Sequence, residues 1–149
     1  MLQKVSGFIQ TQNLCQPDSK ILAAVSGGID SVVLCEVLHQ LKYTFAVAHC
    51  NFGLRAEDAE ADQLFAKKLA KQYNVPFFTE NFNTRAFAEQ EKLSIQMAAR
   101  TLRYKWFEQV RQQEGYDYIA TAHHSNDLTE TILLHLTRGT GIAGLHGIP

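Results

Sequence analysis

The sequence predicts an α/β domain, a parallel sheet with helices on both faces. Short apolar runs alternate along the chain with longer stretches of helical spacing, the pattern of βαβ units. The first apolar run stops abruptly at Ser26-Gly27-Gly28, so a buried strand enters a tight loop. The chain has 149 residues, 46% of them hydrophobic, with no internal repeat and no linker-like shift in composition. That is one domain, able to bury roughly 68–70% of its unfolded surface.

In order, Leu2, Val5, Phe8 and Ile9 have the spacing of an amphipathic helix, expected to cover a hydrophobic edge, and lack the continuous apolar core of a signal peptide. After Pro17-Asp18-Ser19 a strand is expected at 21–25. A helix at 31–41 follows, with Val33, Leu34, Val37, Leu38 and Leu41 on one face. The second strand fits 44–48, then a polar loop through Asn51 and Arg55 leads to a helix at 58–73 with an apolar stripe of Ala61, Phe65, Leu69 and Tyr73. A third strand fits 75–79 and a short helix 85–90. The longest helix starts from Ser94 as N-cap, keeps Ile95, Ala99, Leu102, Trp106 and Val110 on one side, and stops at Gly115. The fourth strand, 118–122, leads into His123-His124 and a helix expected at 126–137, its end marked by Arg138-Gly139.

Charge and cysteine usage exclude several classes. With 14 Lys+Arg against 15 Asp+Glu the formal net charge is -1, so the overall basicity of a self-sufficient nucleic-acid binder is absent. Cys15, Cys35 and Cys50 are an odd number without a CxxC pair, the usage of reduced thiols in the cytoplasm and not of a zinc ribbon or redox motif. No apolar run approaches the ~18–20 residues of a membrane span.

Ligands of a parallel α/β sheet bind beyond the carboxyl ends of its strands, and four segments there carry chemistry. In Ser26-Gly27-Gly28-Ile29-Asp30-Ser31 the glycines allow backbone N–H groups to approach an anion at the start of a helix, and two serines add hydroxyls. There is no Lys as in GxxxxGK[ST] and no GxGxxG spacing. Asp30 would repel a phosphate unless a cation lies between them, and Mg²⁺ resolves that. A plain glycine turn with serine capping is the structural alternative. The second segment holds His49, Asn51 and Arg55; the third places Gln96, Arg100 and Arg103 on one helix face. In the fourth, His123 and His124 precede Asp127 and Glu130, two carboxylates three residues apart that share a helix face. Such a group also fits a transition metal, except that adjacent histidines on an extended strand point to opposite sides.

The SGGxDS string resembles the pyrophosphate loop of the N-type ATP pyrophosphatases, the PP-loop superfamily. Together with HxN-x-x-LR from His49, SxQ-x-x-AR-x-x-RY from Ser94, HHxxDxxET from His123 and the closing Arg138-Gly139-Thr140-Gly141, the chain from about Ile21 onward resembles the N-terminal catalytic domain of the tRNA(Ile)-lysidine synthetases. It departs from that family at Phe52, where many members have a second His. The resemblance implies an adenine nucleotide alpha hydrolase-like, Rossmann-like fold. It also implies a ligase that uses ATP and Mg²⁺ to join free L-lysine to C2 of the wobble cytidine of an isoleucine tRNA with a CAU anticodon, through an adenylated intermediate. On this reading Ser26, Gly27, Gly28, Ile29, Asp30, Ser31, His49, Asn51, Arg55 and Arg103 bind nucleotide, Asp30 holds the metal, and Asp30, Asp127, Glu130, His123 and Arg100 are the catalytic candidates. The resemblance further implies that these residues form a fragment lacking tRNA-binding domains, with weak tRNA affinity; an oligomer is compatible. A tRNA thiolase and a non-catalytic ATP- or AMP-binding domain are the alternatives, the first disfavoured by the missing cysteine pair and the second having no need of the His/Asp/Glu group.

Overall fold

The computed structural model describes residues 2–54, 56–123 and 133–138. Its elements are α1 (Leu2–Thr11), β1 (Lys20–Ala24), α2 (Ile29–Gln40), β2 (Thr44–Asn51), α3 (Ala56–Tyr73), β3 (Phe77–Asn81), α4 (Thr84–Glu91), α5 (Ile95–Glu114), β4 (Tyr118–His123) and β5 (Leu133–Arg138). Among the described residues the strands form one sheet in the order β3-β2-β1-β4-β5. β1 pairs in parallel with β2 and with β4, and β2 with β3, while β5 runs antiparallel to β4.

The pleat divides the inner strands between two cores. Ile21 and Ala23 of β1, Phe45 and Val47 of β2, and Tyr118 and Ala120 of β4 pack with Ile9, Leu34, Leu38 and Leu69 from α1, α2 and α3. The alternate residues Leu22, Ala46, Ala48 and Ile119 pack with Tyr104, Trp106, Phe107 and Val110 of α5. Helices therefore cover both faces, as the continuous apolar strands require. Each fully buried Leu or Ile contributes about 1.5–3 kcal/mol relative to exposure. Ile9, with Leu2 and Val5 beside it, seats α1 on the first core, whereas Phe8 is exposed.

Three elements depart from the sequence reading. β3 begins two residues later, at Phe77, after the Pro76 carbonyl has accepted the Val47 N–H at 2.9 Å. On α3 the buried line is Ala66, Leu69 and Ala70, while Ala61 and Phe65 face outward; small alanines let the helix lie close to the sheet, so the larger Phe65 is not its anchor. Of the helix expected at 126–137, residues 126–132 lie outside the described residues, and 133–137 belong to a strand at 133–138. A short apolar run such as Leu133-Leu134-His135-Leu136 fits either period, and here its backbone pairs with the outer edge of β4, from Tyr118 with Arg138 to His123 with Leu133. An antiparallel edge on a parallel sheet is a common arrangement.

Candidate functional site

The order β2-β1-β4 puts a topological switch at β1: the chain leaves β1 to one side for β2 and returns to its other side as β4. The crevice beyond the carboxyl ends of such strands is the expected ligand position. A cavity of about 800 Å³ lies there. Ser26 lines it from the β1–α2 loop, Asp30 and Ser31 from the first turn of α2, His49 and Asn51 from the end of β2 with Phe52 just after it, Asp62 from α3, Arg103 and Tyr104 from α5, and Thr121 from β4.

The loop is shaped by backbone. Gly27 has φ +97, and a Cβ built on it would lie 2.7 Å from Asp62 Oδ1; both conformation and space exclude a side chain. Gly28 is the N-cap of α2 and gives that helix no side-chain cap, so the first turn presents N–H groups and positive dipole toward the cavity. The hydroxyls have different tasks. Ser31 is buried, and its Oγ donates to the Gly28 carbonyl at 2.7 Å, which commits its only proton to holding the loop. Ser26 Oγ accepts from the Gly28 N–H at 3.3 Å and keeps its own proton for a ligand. Ile29, 77% exposed, does not line the cavity and supplies backbone to the first turn.

Val25, just before the loop, is clamped to β2 at both of its backbone groups. Its N–H donates to the Ala48 carbonyl at 2.9 Å, and its carbonyl accepts from Nδ1 of His49 at 2.8 Å. Because a carbonyl only accepts, Nδ1 carries the hydrogen; the 3% exposed His49 thus positions the loop. Asn51 pins the next turn: Oδ1 accepts from the Gly53 N–H at 3.0 Å and Nδ2 donates to Gln63 at 3.1 Å.

On α5 the expected Gln96–Arg100–Arg103 face divides. Arg103 lines the cavity with its guanidinium 5.1 Å from the Phe52 ring centre. Arg100 is exposed, stacks 5.1 Å over Tyr104 and does not line the cavity; Gln96 is exposed too. Cys50, at the cavity wall, is pushed up to about 12 by burial against the lowering influence of Arg103, and a thiol so protonated is no nucleophile at neutral pH. Arg55, His124, Asp127, Glu130 and the segment 139–145 lie outside the described residues, and His123 is described as the last residue of β4.

Asp62 is the residue that the sequence pattern did not single out. Its signal is indirect: a helix that follows β2 starts at the ligand edge of the sheet, so a carboxylate in its second turn faces the crevice. Asp30 and Asp62 line one cavity beside the uncapped start of α2. Among the described residues no group of three or more His, Cys, Asp or Glu is placed to hold a metal alone. Two carboxylates beside an uncapped helix start are nevertheless a donor set that could suit Mg²⁺, an ion that takes one or two carboxylates and completes its shell with phosphate oxygens and water.

Comparison with known proteins agrees with this geometry. A family model described as the PP-loop domain matches residues 2–149. A tRNA(Ile)-lysidine synthase of Bacteroides thetaiotaomicron is 47% identical over 146 residues, 98% of this chain and 34% of that protein. Those of Parabacteroides distasonis and Caldanaerobacter subterraneus are 44% and 41% identical over 99% of the chain, covering 34% and 32% of their lengths. The chain therefore spans about a third of these curated relatives. Among solved structures, the NH3-dependent NAD synthetase of Campylobacter jejuni superposes with a TM-score of 0.60 at 19% identity, over 84% of this chain and 55% of that one. The NMN synthetase of Francisella tularensis gives 0.59 at 18% identity, over 79% and 51%. These two share the fold.

Proposed function

Because the chain belongs to the PP-loop domain family, and so carries an ATP-using domain, we propose that it is the nucleotide-activating domain of a tRNA(Ile)-lysidine synthase. The observation that carries the reading is the cavity at the switch point, which Ser26, Asp30 and Asp62 line beside the uncapped start of α2. Relatives at 41–47% identity supply the substrate class.

In the proposed reaction the cytosine O2 attacks the α-phosphorus of ATP and pyrophosphate leaves. The lysine Nε then attacks C2, AMP departs with O2, and the amine loses a proton. The first turn of α2 and Ser26 bind phosphate oxygens, while His49, Ser31 and Asn51 keep the surrounding loops in place. Asp30 and Asp62 would hold Mg²⁺, which when bound offsets phosphate charge as a Lewis acid. Arg103 meets the phosphate that becomes AMP.

Lysine has a free pKa near 10.4, so at pH 7 about one molecule in 2,500 is the neutral nucleophile. Asp127 and Glu130 are assigned to ammonium recognition and, in one of them, to proton acceptance; His123 is assigned to proton transfer, and the exposed Arg100 and the loop residue Arg55 to contacts with substrate. With net charge -1 the domain by itself grips RNA phosphates weakly. Among the described residues no helix is long and apolar enough to cross a membrane. Because the proposed substrates are ATP and a tRNA, we place the reaction in the cytoplasm.

The test grafts this chain in place of the matching third of a curated relative and measures AMP and pyrophosphate. Sustained, multiple-turnover formation of both only when ATP, the isoleucine tRNA and free lysine are all present, with at most one equivalent of pyrophosphate per enzyme when lysine is omitted, and loss of both in Asp30→Ala, is the expected result. Turnover that ignores lysine, or an Asp30→Ala graft as fast as the unaltered one, contradicts the proposal.

A further inference from the structure

We propose that Phe52 is a positioning residue of this cavity, its ring holding the Arg103 guanidinium so that the N–H edge meets a nucleotide phosphate. The proposal rests on the ATP reading above and says how one wall of that site is aimed.

Arg103 lies 5.1 Å from the Phe52 ring centre, inside the ~6 Å range of a cation–π contact. The ring is itself anchored. Phe52 stacks on Phe82 with centres 5.8 Å apart and planes 22° apart, and Phe82 meets Trp106 edge-on at 6.3 Å and 80°. Trp106 is one turn beyond Arg103 on α5 and is 8% exposed. The aromatic chain therefore starts and ends on the same helix, a closed circuit through the end of β2 and the residue after β3. Backbone fixes the turn as well: the buried Thr84 hydroxyl donates to the Phe52 carbonyl at 2.8 Å, and the Phe82 N–H donates to the Asn51 carbonyl at 2.8 Å.

Among the described residues the ion pair is Arg111–Glu108, and Arg103 has none, although Asp30 and Asp62 line the same cavity. A ring holds this cation where a carboxylate would neutralise it. A guanidinium seated over a ring keeps its N–H donors for the oxygens of an anion, and one already immobile loses less entropy when the ligand arrives. Unlike Arg100, whose stack on Tyr104 leaves it exposed outside the cavity, Arg103 is half-buried and aimed inward.

The test is calorimetric titration of the protein with α,β-methylene-ATP and Mg²⁺. Arg103→Met is expected to weaken binding about tenfold or more, Phe52→Leu about two- to fivefold, and Phe52→Tyr, which keeps the ring, less than twofold. In the Arg103→Met background Phe52→Leu is expected to cause no further loss. An unchanged affinity in Phe52→Leu, an equal loss in both backgrounds, or failure of Phe52→Tyr to retain affinity overturns the proposal. Should Phe52→Leu fail to fold, Phe52→Met, which also removes the ring, takes its place in both backgrounds with the same expected and overturning results. Absence of binding by the unaltered protein overturns the ATP reading itself, a result distinct from an insensitive Phe52.

Discussion

One part of the cavity lining, from residues 26–31, is held by backbone, whereas another, from the end of β2 and α5, is held by aromatic side chains. Gly27 at φ +97, the uncapped Gly28 and the Val25 clamp shape the first. Phe52, Phe82 and Trp106 build the second, under Arg103. A backbone-built wall places N–H donors with little side-chain freedom to lose, while a side-chain wall can be retuned by single substitutions without remaking the turn.

The comparison predicts different costs of damage. Trp106→Ala empties a buried site of the aromatic wall and is expected to lower unfolding stability by about 3–5 kcal/mol, measured by urea denaturation. Gly27→Ala attacks the other wall. It forces a non-glycine residue to positive φ, about 1–3 kcal/mol, and sets a Cβ 2.7 Å from Asp62 Oδ1. Adding Asp62→Ala is expected to recover part of the loss, and a Gly27→Ala protein as stable as the original contradicts the loop geometry. His49→Leu strips the Val25 carbonyl of its partner, with an expected cost of about 1–2 kcal/mol.

The smallest effect lies on α5 away from the cavity. Hydrogen bonds from Arg111, at 2.7 and 2.8 Å, hold the Glu108 carboxyl below its ordinary value. A carboxyl lowered by folding adds stability above its unfolded pKa and loses it as pH falls through the folded one. Glu108→Gln should therefore cost at most about 1 kcal/mol at pH 7, and the cost should shrink as pH falls below the ordinary carboxyl value, compared by denaturation across a pH series.

The same contrast explains what the sequence revealed. The loop at 26–31 was legible because its whole pattern is contiguous, strand, two glycines, serines and an aspartate. The strands were legible as apolar runs, although β2 continues through His49-Cys50-Asn51, where pairing with residues 79–81 of β3 carries polar residues in the ladder. Asp62 was not legible, since nothing local distinguishes it from other acids on an exposed helix face. Nor was the aromatic circuit: residues 52, 82, 103 and 106 meet only after α5 has crossed the sheet. At 133–138 a run of leucines suited two periods, and a free strand edge decided between them.

The central claim is that residues 26–31 bind the phosphates of ATP. Backbone amide chemical shifts of the ¹⁵N-labelled protein, followed during titration with ATP and Mg²⁺, test it most directly. The account predicts the largest saturable shifts at Gly27–Ser31, with Asn51 and Phe52 also moving, and strong attenuation in Asp30→Ala. Saturable shifts centred elsewhere, for example around Asn81–Arg85, with 26–31 unmoved, would contradict it.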